Sequence, residues 1–259
     1  MQPSAINSPL LARMPQDQAP PAPDPHPPPA PSEAVLETLR RRLARLEKLY
    51  SRNSNTVAAT GCAALDQFLP AGGFPCGALI EFLAPDDGSG AVGLALLSAR
   101  QACRQGKPLV VVDRAGQFYP PAAACLGISP QQLLIVQPHS QADEHWTINQ
   151  ALRCTGVGAV LAWPGTIDHR SFRRLQLAAE HGGGLGLLIR PPSARREPSW
   201  AQVRLAVEPL PGGTSRKRRL RIELLRCRGA DGSRTLEVEL GDEKEVRQWH
   251  IPSPDIFAT

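Results

Sequence analysis

Hydrophobic and polar positions follow three different rhythms along this chain. Between residues 78 and 190 five short apolar runs recur: "ALIEFL" (78–83), "PLVVVD" (108–113), "QLLIVQ" (132–137), "AVLAW" (159–163) and "GLLIR" (186–190). Each is apolar at consecutive positions, which is the pattern of a strand covered on both faces. Segments with helical patterning lie between them, at 91–105, 120–127, 143–156 and 168–182. Continuously apolar strands alternating with helices predict an α/β fold with a doubly wound, mostly parallel sheet flanked by helices.

The last third alternates with period two. Val203, Leu205 and Val207 alternate with Gln202, Arg204 and Ala206; Leu220, Ile222 and Leu224 alternate with Arg219, Arg221 and Glu223; Leu236, Val238 and Leu240 alternate with Thr235, Glu237 and Glu239. With a Pro-Gly-Gly turn at 211–213, this predicts a C-terminal antiparallel meander that extends the sheet, with one face buried and one face wet.

The third rhythm is helical. In "SEAVLETLRRRLARLEKLY" (32–50) Leu36, Leu39, Leu43, Leu46 and Tyr50 fall at 3-4-3-4 spacing and line one face, while arginines occupy the others. The leucine stripe is a candidate partner-binding face, and it serves equally for docking on the chain's own core. Before it, residues 1–31 hold eleven of the 27 prolines and predict an extended, disordered tail. The expected organisation is a tail over 1–31, a leading amphipathic helix over 32–50, a core over 56–245 and a flexible C-terminal tail over 246–259.

Composition narrows the function classes. Hydrophobic content of 42% with 20% charged residues over 259 positions fits a globular core. No apolar run approaches the roughly 18 residues of a membrane helix, and no secretory leader pattern opens the chain, so a cytoplasmic protein without membrane contact is expected. The six cysteines form no C-x-x-C pair and read as reduced thiols. The histidines show no metal spacing; His139 and His145 are the closest pair and read as loop and helix-surface residues. A net charge of +5 hints at an anionic partner and no more.

The candidate chemistry lies in "LIEFLAPDDGSGAVGL" (79–94). A strand, a glycine-bearing turn and a helix reproduce the outline of a phosphate-binding loop, in which backbone N–H groups at a helix N-terminus meet the anion and a lysine adds charge. Here Gly88 and Gly90 supply the turn, but no lysine follows. Asp86 and Asp87 place negative charge where phosphate would sit, and Ala91 and Val92 offer no hydroxyl to Mg²⁺. The strand that should end in a metal-holding carboxylate ends instead in Trp163 and Pro164. Asp113 ends the strand "LVVVD" and reads as a residue that orients the following loop. No cofactor and no metal are expected.

The order of these pieces resembles the RecA core. "TGCAALDQFLPAGGFPCGALIEFLAPDDGSG", "GKPLVVVDRAGQFYP", "LGISPQQLLIVQP" and "GAVLAWPGT" follow one another with nearly the spacing of that family, over about residues 56–240. The chain is more closely similar to ImuA-type proteins, RecA-like chains with a Leu/Arg-rich leading helix and a G-x-x-x-L-D-x-x-L-P-x-G-G segment, here Gly61 to Gly73. The resemblance places the first loop glycine of an ATPase at Ala84, its lysine at Gly90, its hydroxyls at Ala91 and Val92, its catalytic glutamate at Ala115 and its metal aspartate at Trp163. It implies a non-catalytic protein of damage-induced translesion DNA synthesis, nucleoid-associated during damage. The implied partners are an ImuB-like Y-family polymerase homologue, an error-prone C-family polymerase and RecA. The alternatives are a SulA-type inhibitor of cell division and an ATP-dependent recombinase-like protein.

The DNA-contacting loops of RecA follow its later strands. The corresponding segment "RPPSARREPSW" carries Arg190, Arg195 and Arg196, and "SRKRRLR" adds Arg216, Lys217, Arg218, Arg219 and Arg221. This basic region admits three readings: charge guarding a solvated edge strand, contact with DNA phosphates, or an acidic patch on a partner. Trp200 is expected to cover the sheet.

Overall fold

The computed structural model describes residues 56–85, 88–211, 217–228, 233–241 and 246–248. The proline-rich tail, the leading helix with Leu36, Leu39, Leu43 and Leu46, the turn at 212–213, and Asp86 and Asp87 lie outside the described residues.

The five continuous apolar runs form β3 (Leu79–Leu83), β4 (Leu109–Val112), β5 (Leu133–Val136), β6 (Ala159–Ala162) and β7 (Leu185–Arg190). The helical segments form α2 (Ala91–Ala102), α3 (Pro120–Cys125), α4 (Gln141–Arg153) and α5 (His169–Gly182). The three alternating stretches form β8 (Val203–Leu210), β9 (Lys217–Cys227) and β10 (Arg234–Gly241). Among the described residues their sheet has nine strands in the order β11-β10-β9-β8-β3-β7-β6-β4-β5. Strands β8, β3, β7, β6, β4 and β5 run parallel, and β9, β10 and β11 continue from β8 antiparallel.

The two grammars of the sequence correspond to two kinds of cover. In the parallel half both faces are buried from β8 to β4: Ile80, Phe82, Leu109, Val111 and Leu161 pack on one side with α2, while Leu79, Val110, Val112, Val160 and Leu188 pack on the other with α4 and α5. The apolar run of β5 departs from that expectation, since β5 ends the sheet with Leu134 and Ile135 exposed. In the meander only one face joins that core, through Val203, Leu205, Leu220, Ile222, Leu224, Leu236 and Val238. The opposite face therefore carries the polar partners of the period-two pattern.

Local rules fix the helix ends. Asp168 caps α5 by accepting from the N–H groups of Arg170 (2.9 Å) and Ser171 (3.0 Å), and the helix stops at Gly183 in the left-handed region. Ser140 caps α4 in the same way, accepting from Asp143 N–H at 3.1 Å. Helix α2 is almost enclosed. Its one buried hydroxyl, Ser98, lies within hydrogen-bond distance of the Leu94 (2.9 Å) and Thr60 (3.1 Å) carbonyls.

Three features depart from the sequence pattern. A small antiparallel pair, β1 (Val57–Ala58) with β2 (Phe74–Pro75), and a six-residue helix α1 (Ala63–Phe68) precede the sheet. They are too short to leave a periodic signature. The segment from 246 onward does not begin as a tail: β11 (Val246–Gln248) pairs with β10 and takes up its free backbone edge. Strand β9 is not an edge strand, since β8 and β10 flank it; among the described residues the edges are β11 and β5. Charge on β9 therefore guards no edge.

Candidate functional site

The turn between β3 and α2 brings four of the singled-out residues together. Ala84 is buried, and its N–H donates to the Arg190 carbonyl at 3.0 Å, fastening the end of β3 to β7. Gly88 and Gly90 have φ of 103° and 90°, the left-handed region in which side chains are strained. Gly90 is the N-cap of α2, where it offers no side-chain acceptor, and Ala91 behind it is fully buried.

Strand β9 closes on this turn. A Cβ built on Gly90 would stand 2.6 and 2.7 Å from the two methyl carbons of Leu220. That distance is well inside van der Waals contact, and Leu220 is itself fully buried. Arg218, two residues away, donates to the Gly88 carbonyl at 3.2 Å. The arginine at the turn is thus exposed and already bonded to backbone, and the position at the head of the helix has neither a side chain nor room for one.

The ends of β4 and β6 line the adjoining space. Asp113 is 3% exposed, and its carboxylate accepts from Phe118 N–H at 2.7 Å, which holds the loop after β4 as its position suggested. Ala115 is exposed on that loop. Trp163, half-buried past the end of β6, packs against Phe118 with ring centroids 6.1 Å apart. Trp163, Phe118 and Tyr119 border a cavity of about 200 Å³ with Gly88 and Val92. The lining is aromatic and apolar where a nucleotide site needs ammonium and carboxylate groups. Among the described residues no cluster of His, Cys, Asp or Glu has the geometry to hold a metal.

A polar network missed by the motif reading lies one step inside. Glu81, fully buried in the middle of β3, meets Arg190 Nη1 at 2.8 Å and Arg204 Nε at 2.6 Å, and it accepts from the Ser199 hydroxyl at 2.6 Å. Arg190 also donates to the Gly165 carbonyl at 3.0 Å and to Glu197 at 2.5 Å, and it stacks toward the Phe172 ring. The signal was present in the sequence: a carboxylate inside an apolar strand has to find cationic partners. The network ties β3, β7, β8 and the turn at Pro192–Arg196 together beneath the loop.

The structure separates the predicted basic region, and Arg190 leaves it altogether, buried against Glu81 and Glu197 as above. Arg195 makes a two-pronged bond to Glu223 (2.8 Å each), which holds the Glu223 carboxyl below its ordinary range and raises the guanidinium. Arg219 and Arg221 pair with Glu237 across the β9–β10 ladder at 3.6 and 3.3 Å. Arg196 is exposed, and Arg218 is held at the loop as above. Arg216 and the side chain of Lys217 lie outside the described residues. Three of the cations thus answer carboxylates of this chain and form no free phosphate-binding row. Trp200 is half-buried against the sheet, as expected, and lies under Arg173 (4.7 Å) and beside His169.

All six cysteines are free. Burial pushes the thiols of Cys62 and Cys103 up to about 11, which leaves both protonated and poorly nucleophilic at neutral pH.

Comparison with known proteins agrees with the fold. The RecA N-terminal domain family matches residues 41–162. Protein ImuA of Caulobacter vibrioides is 29% identical over an alignment that covers 69% of this chain and 82% of that protein. Protein RecA of Streptococcus pyogenes is 38% identical, over 32% of this chain and 22% of RecA. Among solved structures, the RadB recombinase superposes with a TM-score of 0.59 at 18% identity, covering 74% of this chain and all of RadB. At that identity the likeness speaks for the fold, which is RecA/RadB-like.

Proposed function

We propose that this ImuA-type, RecA-like chain acts as a non-catalytic adaptor in damage-induced translesion DNA synthesis. In this reading it holds an ImuB-like Y-family polymerase homologue and, through it, an error-prone C-family polymerase. The observation that carries the non-catalytic half is the packing of Leu220 onto Gly90. A phosphate loop needs an ammonium group at that point of the turn. Here the backbone is left-handed and an aliphatic side chain fills the space. Ala91, Ala115 and Trp163 supply no hydroxyl, general base or metal ligand at the other positions of an ATPase site, so the RecA scaffold is retained without its reaction.

The adaptor half rests on the similarity to ImuA and on the leucine stripe of the leading helix, Leu36, Leu39, Leu43 and Leu46. Such a stripe lays an apolar face into a partner's groove at i, i+3, i+4 and i+7 positions. A pull-down of the full chain, compared with a version lacking residues 1–50, tests that surface. Capture of the ImuB-like protein by the full chain and its loss with the deletion is the expected result. Equal capture by both moves the contact to the core and refutes the assignment to the helix. Calorimetric titration with Mg·ATP tests the other half: no stoichiometric binding heat is expected, and saturable binding at one site per chain refutes it.

A further inference from the structure

The functional reading leaves out the outer faces of α4 and α5. The two helices lie side by side and run in the same direction. Gln141 Nε2 donates to the Thr166 carbonyl (2.9 Å) and Asn149 Nδ2 to the Arg174 carbonyl (3.3 Å), both across an offset of 25 residues. That offset puts Trp146 level with Ser171, between Arg170 and Arg174, and puts Arg153 beside the turn that carries Leu177. The exposed stripe of α4 is Ala142, Trp146, Gln150 and Arg153, and that of α5 is Arg170, Arg174, Leu177 and His181. From Ala142 to Arg153 the surface runs about 16 Å at 1.5 Å per residue.

Two properties distinguish this surface from ordinary solvated helix faces. Its indole is 64% exposed and Leu177 is 46% exposed, so apolar area is left open among cations. Its arginines are also uncommitted: among the described residues Arg153, Arg170 and Arg174 have no side-chain hydrogen bond or ion pair. The carboxylates of the same helices are occupied elsewhere. Asp143 is bonded to Ser140 at the α4 cap, Glu144 to Arg114, and Glu180 to Gln176. Asp168, the cap of α5, is spent on backbone N–H groups. In contrast to Arg195, Arg219 and Arg221, which all meet glutamates, the arginines here leave positive charge unanswered on this face.

An exposed indole flanked by free guanidinium groups fits one kind of ligand best. Single-stranded nucleic acid offers a phosphate row to the arginines and an open base face to the indole, whereas a duplex keeps its base faces stacked. We propose that the α4–α5 face, centred on Trp146 with Arg170, Arg174 and Arg153, binds single-stranded nucleic acid without sequence preference. This surface is distinct from the loop at β3–α2 and from the basic segment on β9, and it does not depend on the adaptor reading.

The test is fluorescence anisotropy of a labelled oligothymidylate of roughly twenty nucleotides, titrated with the full chain over a series of salt concentrations. Trp146→Ala is expected to weaken binding about tenfold with the salt slope unchanged, since the loss is stacking. Trp146→Phe should retain most of the affinity. Joint replacement Arg170→Ala and Arg174→Ala should lower the salt slope by about 1.4, at roughly 0.7 per phosphate contact on a single strand. Arg196→Ala on the other basic segment should leave binding unchanged. All these side chains are exposed, so melting temperatures should stay near the parent's and report on fold independently. The proposal is overturned by absent binding at low salt, by parental affinity in Trp146→Ala, or by an unchanged slope in the double arginine variant. It is equally overturned if a duplex of the same length competes as well as the single strand, or if polyglutamate displaces the oligonucleotide at matched charge, which would make the face a site for an acidic protein.

Discussion

Replacing Glu81 with glutamine removes one negative charge and almost no volume from the middle of β3. The residue is completely buried and neutralises two guanidinium groups, Arg190 at 2.8 Å and Arg204 at 2.6 Å, whose side chains are 1% and 10% exposed. After the change the only carboxylate left in the network is Glu197, which is 32% exposed and touches Arg190 alone. Arg204 keeps the Ala194 carbonyl and no counter-charge. Removing one partner of a buried pair costs about 3–5 kcal/mol, because the surviving charge stays desolvated. For a core of this size each kcal/mol shifts the melting temperature by roughly 2–4 °C, so Glu81→Gln should melt roughly 6–20 °C lower. Urea unfolding followed by circular dichroism measures the same loss as a fall in midpoint at constant slope. A double variant with Arg190→Met should lose less than the sum of the two single losses, since each deletion removes the penalty of the other. A loss below about 1 kcal/mol for Glu81→Gln would refute the reasoning, because the network would then behave like a solvated surface pair.

Gly90→Lys, the change that would restore a phosphate-loop lysine, should destabilise the fold by about 1–3 kcal/mol through overpacking on Leu220, without producing ATP binding in calorimetry. Joining it with Ala91→Thr should still give no ATP hydrolysis, because positions 115 and 163 hold alanine and tryptophan. In thiol labelling at pH 8 the exposed Cys125 and Cys154 should react first, while Cys62 and Cys103 should wait for unfolding, since burial keeps their thiols near 11. Glu223, held low by Arg195, contributes stability that is present above its unfolded value of about 4.3 and is lost as pH falls through the lower folded value. Arg195→Ala should therefore flatten the stability–pH curve below about pH 4.3, with a cost of at most about 1 kcal/mol at pH 7 for so exposed a pair.

The parallel half of the fold could be read from the sequence because its physics is local. A strand covered on both faces has to be apolar at consecutive residues, and "LVVV" at 109–112 is that and nothing else. The meander was legible for the complementary reason, since one wet face imposes period two on 203–207, 220–224 and 236–240. The absence of lysine at 90 and of carboxylate at 163 was equally visible. What closes the loop was not: Leu220 lies 130 residues from Gly90, and only the antiparallel return of β9 brings them together. The pairing within the basic segment was hidden for the same reason. Arg195, Arg219 and Arg221 look like an uncommitted cluster until the β9–β10 register sets Glu237 opposite Arg221 and diagonal to Arg219, and the turn at Pro192–Arg196 carries Arg195 to Glu223. Conversely, Trp146 and Arg170 are 24 positions apart on separate helices, so their juxtaposition had no sequence signature.

On the proposed function, this RecA-like scaffold holds partners and does not turn over nucleotide. Co-purification of the full chain with the ImuB-like protein, at physiological salt and without nucleotide, tests it most directly. A stable complex that persists without ATP and is unchanged by adding it is the expected result. A chain that fails to capture that protein at physiological salt and does not recover capture at low salt, or that captures it only with ATP present, would contradict the account.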